Sequence, residues 1–136
     1  MSDFVLDASL TIQWFLEDEA DREYSLGVLA SLSGKHALVP TLWFYEVGNG
    51  LLTACRRKRI TLNQIDEFLE RLQALPIEAV QQNPSEAFGL PSLAHAHGLT
   101  NYDAAYLAIA MRFGLPLATT DKDLCKAAVA AGVKVI

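Results

Sequence analysis

The chain has 136 residues, of which 51% are hydrophobic and 20% charged, and a formal net charge of −5. That length suits one domain over residues 1–136, the charge content is too low for a disordered chain, and no apolar run reaches the roughly 20 residues a membrane helix needs. An acidic sum excludes a general nucleic-acid binder, because attraction to phosphate dominates such affinity, unless the positive charge is concentrated locally.

Residues 3–7 (Asp-Phe-Val-Leu-Asp) form a short apolar run ending in a carboxylate, which suits a buried strand. Residues 9–17 and 20–33 carry apolar positions at helical spacing, including Ile12, Phe15 and Leu16, then Tyr24, Val28, Leu29 and Leu32. The acidic stretch 17–21 between them suits the first turn of a helix, and Gly34 suits a helix end. Residues 36–39 read as a second strand, stopped by Pro40. Helices are expected over about 41–57 and 62–74, the latter capped by Thr61. A third strand follows at 76–80, helices at 85–97 and 101–113 divided by Gly98, a fourth strand at 116–119, a helix at 122–131 and a last strand at 133–136. Strands alternating with helices predict a parallel sheet covered on both faces. Ligands of such sheets sit beyond the carboxyl ends of the strands, where the strand order reverses.

Four carboxylates fall in telling places. Asp7 ends the first strand and would also serve as a helix N-cap. Glu46 lies within Leu42-Trp43-Phe44-Tyr45-Glu46-Val47, where a charge is costly unless it meets water, a partner or a cation. Asp103 follows Thr100 at capping-box spacing. Asp121 follows an apolar strand and would also cap a helix, with Asp123 two residues on as a competitor or supporter. Each has a structural explanation alone. Together, two stand just past different parallel strands and two on helices packed beside those strand ends. Converging carboxylates repel one another unless a cation neutralises them. Oxygen-only donors favour Mg²⁺ or Mn²⁺. His95 and His97 are two apart on a predicted helix and point in different directions, and His36 has no evident partner.

Arg56, Arg57, Lys58 and Arg59 are consecutive. Glu46, Asn49, Gly50, Thr53 and Arg57 share one helix face, and the roughly 16 Å from acid to basic cluster would let the cluster grip substrate phosphates, with Gly50 allowing close approach. The alternative is a solvated helix end offsetting the dipole. Trp14, Phe15, Trp43, Phe44 and Tyr45 are mostly core candidates, with a remainder available to a partner. Cys55 and Cys125 have no metal-ligand spacing and read as free thiols of a reducing compartment. The first residues do not read as a secretory signal, so a cytoplasmic protein is expected. With no Ser/His/Asp or Cys/His set, water is the expected nucleophile.

Four segments carry a family resemblance: Val5-Leu6-Asp7-Ala8-Ser9, Glu46-Val47-Gly48-Asn49, Tyr102-Asp103-Ala104-Ala105-Tyr106-Leu107-Ala108 and Leu117-Ala118-Thr119-Thr120-Asp121-Lys122-Asp123-Leu124. In this order the chain resembles the PIN-domain nucleases, and among them the VapC-type toxins of toxin–antitoxin pairs. The resemblance implies a three-layer α/β sandwich with a five-stranded parallel sheet in the order 3-2-1-4-5. It brings Asp7 and Asp121 together and carries Glu46 and Asp103 into the same cleft as metal-binding acids. It gives Ser9, Asn49 and Thr119 supporting roles, and its Thr-x-Asp-x-x-Leu register selects Asp121 over Asp123. It also implies an Mg²⁺- or Mn²⁺-dependent endoribonuclease acting on RNA, products with 5′-phosphate and 3′-hydroxyl ends, and an antitoxin protein as partner. A homodimer is expected as well. The rival expectations are a PIN-fold binding module without activity, a phosphate-handling enzyme of receiver or phosphatase type, and a DNA flap nuclease of related fold.

Overall fold

The computed structural model describes residues 3–16 and 20–136. In chain order its elements are β1 (Phe4–Leu6), α1 (Ala8–Gln13), α2 (Arg22–Ser31), β2 (Ala37–Pro40), α3 (Leu42–Arg56), α4 (Leu62–Gln73), β3 (Ile77–Val80), α5 (Pro84–His97), α6 (Asn101–Phe113), β4 (Leu117–Ala118) and α7 (Lys122–Ala130). The paired strands are all parallel, in the order β3-β2-β1-β4. Successive strand residues point to opposite faces, yet Phe4, Val5 and Leu6 are all fully buried. Both faces of β1 are therefore covered. Helix α6 lies on β1, β2 and β4, with α5 folded back against it; α1 packs on α3, and α3 on α4.

The chain builds the sheet outward from β1 to β3 and then returns to the other side of β1 for β4. That reversal puts the switch point between β1 and β4. Their register pairs Leu6 with Ala118, so Asp7 and Thr119 leave the sheet side by side.

Several boundaries differ from expectation. The fifth strand at 133–136 is a single bridge, Leu117 to Val135, so the described sheet has four strands. Only Leu117 is flanked by bonds there: its N–H donates to Lys134 O and its carbonyl accepts from Ile136 N–H. The bridge lies where a fifth strand beside β4 would lie. The helix expected over 9–17 ends at Gln13, because the N–H groups of Trp14 and Phe15 turn to carbonyls three residues back. The helix expected over 20–33 is confined to α2. The part of the acidic stretch at 17–19 lies outside the described residues.

Local chemistry explains the remaining ends. Thr61 and Gln64 cap α4 reciprocally. Gly98 and Gly114 close α5 and α6 at φ 64°, a left-handed conformation that favours glycine. Gly50 has a different role from the one expected. A Cβ there would collide with Ile12 Cδ1. The space over Gly50 is taken by α1, not left open to a substrate. Trp14 and Trp43 are core residues, and Phe15 stacks on Phe68 at 4.2 Å, whereas Phe44 and Tyr45 are exposed. Among the described residues no helix is long and apolar enough to cross a membrane.

Candidate active site

Asp7 occupies the N-cap position of α1 but makes no capping bond with its side chain. Its Oδ2 instead accepts from Ser9 Oγ at 2.7 Å and from Thr119 Oγ1 at 2.6 Å. Asp7 is only 5% exposed. Burial pushes it above its ordinary range, the two hydroxyls pull back by favouring the charged form, and the Asp121 charge pushes it up further.

Thr119, itself buried, joins the two strand ends. Its hydroxyl donates to Asp7 and accepts from the Asp121 N–H at 3.0 Å. Asp121 does cap its helix: Oδ1 accepts from Leu124 N–H at 3.0 Å. The capping alternative therefore accounts for one oxygen of Asp121 and for none of Asp7.

Glu46 is half-buried on α3, one turn into the helix. Its Oε1 accepts from Tyr106 Oη at 2.5 Å. Burial raises its carboxyl, the tyrosine bond lowers it, and the Asp7 charge raises it again. Asp103, in the first turn of α6, is pushed up to about 6 by burial and then by Asp121, Asp7 and, least, Glu46, against a lowering bond from Thr100. At this helix start Thr100 is the capping acceptor, taking the Asp103 N–H at 3.1 Å. All four carboxylates thus share one electrostatic neighbourhood beyond the carboxyl ends of β1 and β4. Among the described residues, no group of three or more His, Cys, Asp or Glu is arranged to hold a metal ion. Asp121, Asp7 and Glu46 each turn one oxygen to a protein donor instead.

The supporting residues divide. Ser9 and Thr119 contact Asp7 directly. Asn49 is exposed, one turn along α3 from Glu46, and makes no hydrogen bond to any of the acids among the described residues. Asp123 is exposed in the first turn of α7 and contributes to none of the raised acids. Arg56, Arg57, Lys58 and Arg59 are all exposed at the end of α3, and Lys58 takes a left-handed φ of 61° as the chain turns away. Arg59 lines a hollow together with Arg22, Arg71 and the acidic Glu67.

Sequence reasoning missed three contributors. Tyr106 stands in a segment that carries the resemblance but has no role of its own in the sequence reading, and nothing in its spacing announces that its hydroxyl reaches another helix. Gln13 and Thr120 extend the polar rim, with Gln13 Nε2 donating to Thr120 Oγ1 at 3.4 Å. A glutamine at the end of a short helix carries no signal of such a contact.

The fold and the acid rim define an α/β protein with its chemistry at the switch point of a parallel sheet. The PIN domain profile matches residues 4–130. Ribonuclease VapC3 of Pyrobaculum aerophilum is 32% identical over 126 residues, which span 90% of this chain and 92% of that protein. The chain belongs to the PIN-domain family. Two crystal structures share its fold. PAE2754 from Pyrobaculum aerophilum superposes with a TM-score of 0.69 at 23% identity, covering 93% of this chain and 86% of that one. VapBC2 from Rickettsia felis, bound to a DNA fragment from their promoter, gives 0.65 at 14% identity over 98% and 97%.

Proposed function

We propose that this chain is a metal-dependent endoribonuclease, the toxin of a toxin–antitoxin pair, with Asp7, Glu46, Asp103 and Asp121 as its catalytic acids. The observation that carries the reading is the Thr119 hydroxyl, which links Asp7 to the Asp121 backbone at the switch point. Membership of the PIN-domain family and the ribonuclease name of the curated relative support the activity. The pairing of VapBC2 in its crystal structure supports an antitoxin partner.

The donor set fits a hard divalent cation. It is oxygen-only, and burial and mutual repulsion raise three of its carboxyls, a cost that a nearby positive charge would relieve. Mg²⁺ or Mn²⁺ would be held by Asp7, Glu46, Asp103 and Asp121, and when bound would supply charge for the phosphoryl oxygens and acidify water. Ser9 and Thr119 fix Asp7 in one orientation and favour its charged form against the burial that raises it. Asp121 is fixed by its own helix cap. Asn49 supports the acidic centre from the substrate side, and Asp123 adds negative charge outside it. Arg56, Arg57, Lys58 and Arg59 hold substrate phosphates by charge. The buried Asp7, bonded by two hydroxyls, suits an oriented ligand better than the nucleophile of a receiver or phosphatase.

Exposed Phe44 and Tyr45 give the antitoxin, or a second copy of the chain, apolar surface to cover. Phe44 also borders a hollow of about 510 Å³ lined by Trp43, Val47, Leu69 and Leu72.

The test is RNA-end sequencing after induced expression of the wild type beside Asp7→Asn. New 5′-phosphate ends in the wild type alone are expected. Equal cleavage by a folded Asp7→Asn protein would refute the assignment.

A further inference from the structure

One hydroxyl at the rim comes from the core. Tyr106 has no exposed surface. It lies one turn beyond Asp103 on α6, and its hydroxyl donates to Glu46 Oε1 at 2.5 Å. No other hydrogen bond to the Glu46 carboxylate is present among the described residues. A glutamate side chain loses rotamer freedom when fixed, and nothing on α3 itself fixes this one. A phenol on a fully packed ring cannot swing away, and a short bond to a carboxylate is among the stronger kinds. The contact also distinguishes the two oxygens of Glu46, since Oε1 is engaged and Oε2 is not.

We infer that Tyr106 is a positioning residue for Glu46: by holding Oε1 it presents Oε2 as the donor of Glu46 to the divalent cation. The inference rests on the metal-dependent reading given above. A merely structural tyrosine would use Glu46 to satisfy its buried hydroxyl. Both roles make Tyr106→Phe less stable. Only the positioning role changes cation affinity through Glu46.

The experiment titrates Mn²⁺ alone, by calorimetry, into metal-free wild type, Tyr106→Phe, Glu46→Gln and the double variant. Circular dichroism and the fluorescence of Trp14 and Trp43 check the fold. Loss of an outer partner of a metal ligand typically weakens affinity about 10–100-fold, and that loss is expected for Tyr106→Phe. In the Glu46→Gln background the same change is expected to do almost nothing, because the two act as one unit. Unchanged affinity in folded Tyr106→Phe, or an equal loss in both backgrounds, overturns the inference. Glu46→Asp is a second probe. It keeps the charge and shortens the reach by one methylene at a half-buried site. It is expected to lose affinity similarly, and wild-type affinity there overturns the inference too. Asp7→Asn separates the two claims. Should it bind Mn²⁺ as tightly as the wild type, the metal-dependent reading falls and takes this inference with it. Should only Tyr106→Phe bind normally, the positioning role alone falls.

Discussion

Thr119 has two jobs at one oxygen: it donates to Asp7 and accepts from the Asp121 backbone. Thr119→Val keeps the shape and removes both bonds, so that Asp7 Oδ2 keeps only its Ser9 donor and the Asp121 N–H is left unpaired. Unsatisfied buried groups cost about 1–3 kcal/mol each, so urea unfolding of Thr119→Val should show a loss of that order. The acids themselves act in the opposite sense. Asp103 is raised from its ordinary 3.8 to about 6, and Asp7 and Glu46 are raised as well. The folded state then binds protons more tightly than the unfolded chain. Stability from these groups is fully present below their ordinary range and is lost as pH rises through about 6. Thermal melts of metal-free protein should fall across that window. On the metal-dependent reading proposed above, Mn²⁺ should restore stability above it by binding the ionised folded form. A metal-free melting temperature that climbs from the ordinary Asp103 value of 3.8 to about 6 would contradict this.

At the scale of elements, the packing of α1 on α3 decides where the acid rim stands. Helix α1 follows Asp7 and is only six residues long. Gly50 brings α3 close enough that Ile12 fills the place of a side chain. An exposed helical Gly→Ala change would gain about 1 kcal/mol of helix propensity. Here the added methyl meets Ile12 Cδ1, and overpacking costs about 1–3 kcal/mol. Gly50→Ala should therefore show no net gain in chemical denaturation. Adding Ile12→Val, which removes Cδ1, should recover stability beyond the sum of the two single changes. Additive behaviour would mean that the two helices are free to move apart.

For the whole molecule, a net charge of −5 coexists with a basic run on the surface. Binding of RNA must then depend on where the charge lies. In Asp7→Asn protein, expected on the proposed function to bind RNA without cleaving it, Arg56→Ala with Arg57→Ala should reduce the slope of log affinity against log salt by about 0.7 for each phosphate that is no longer neutralised. A slope unchanged from the parent places the phosphates elsewhere on the surface, the region of Arg22, Arg59 and Arg71 included.

Much of this molecule is legible along the chain. Apolar runs locate the strands because a strand covered on both faces needs apolar side chains on each. Thr61, Gly98 and Gly114 mark helix ends because capping is local chemistry within a few residues. Asp7 and Asp121 are visible as carboxylates that end apolar runs. The edges fail where long-range pairing decides: residues 133–136 have strand-like composition but pair only at Val135. Ownership of single atoms is likewise a matter of tertiary structure. No sequence spacing tells that Thr119 spans two acids, that Tyr106 crosses to Glu46, or that Gly50 belongs to Ile12. Each of those interactions joins elements far apart in the chain. Its geometry is set by sheet register and helix packing, which a residue and its neighbours do not encode.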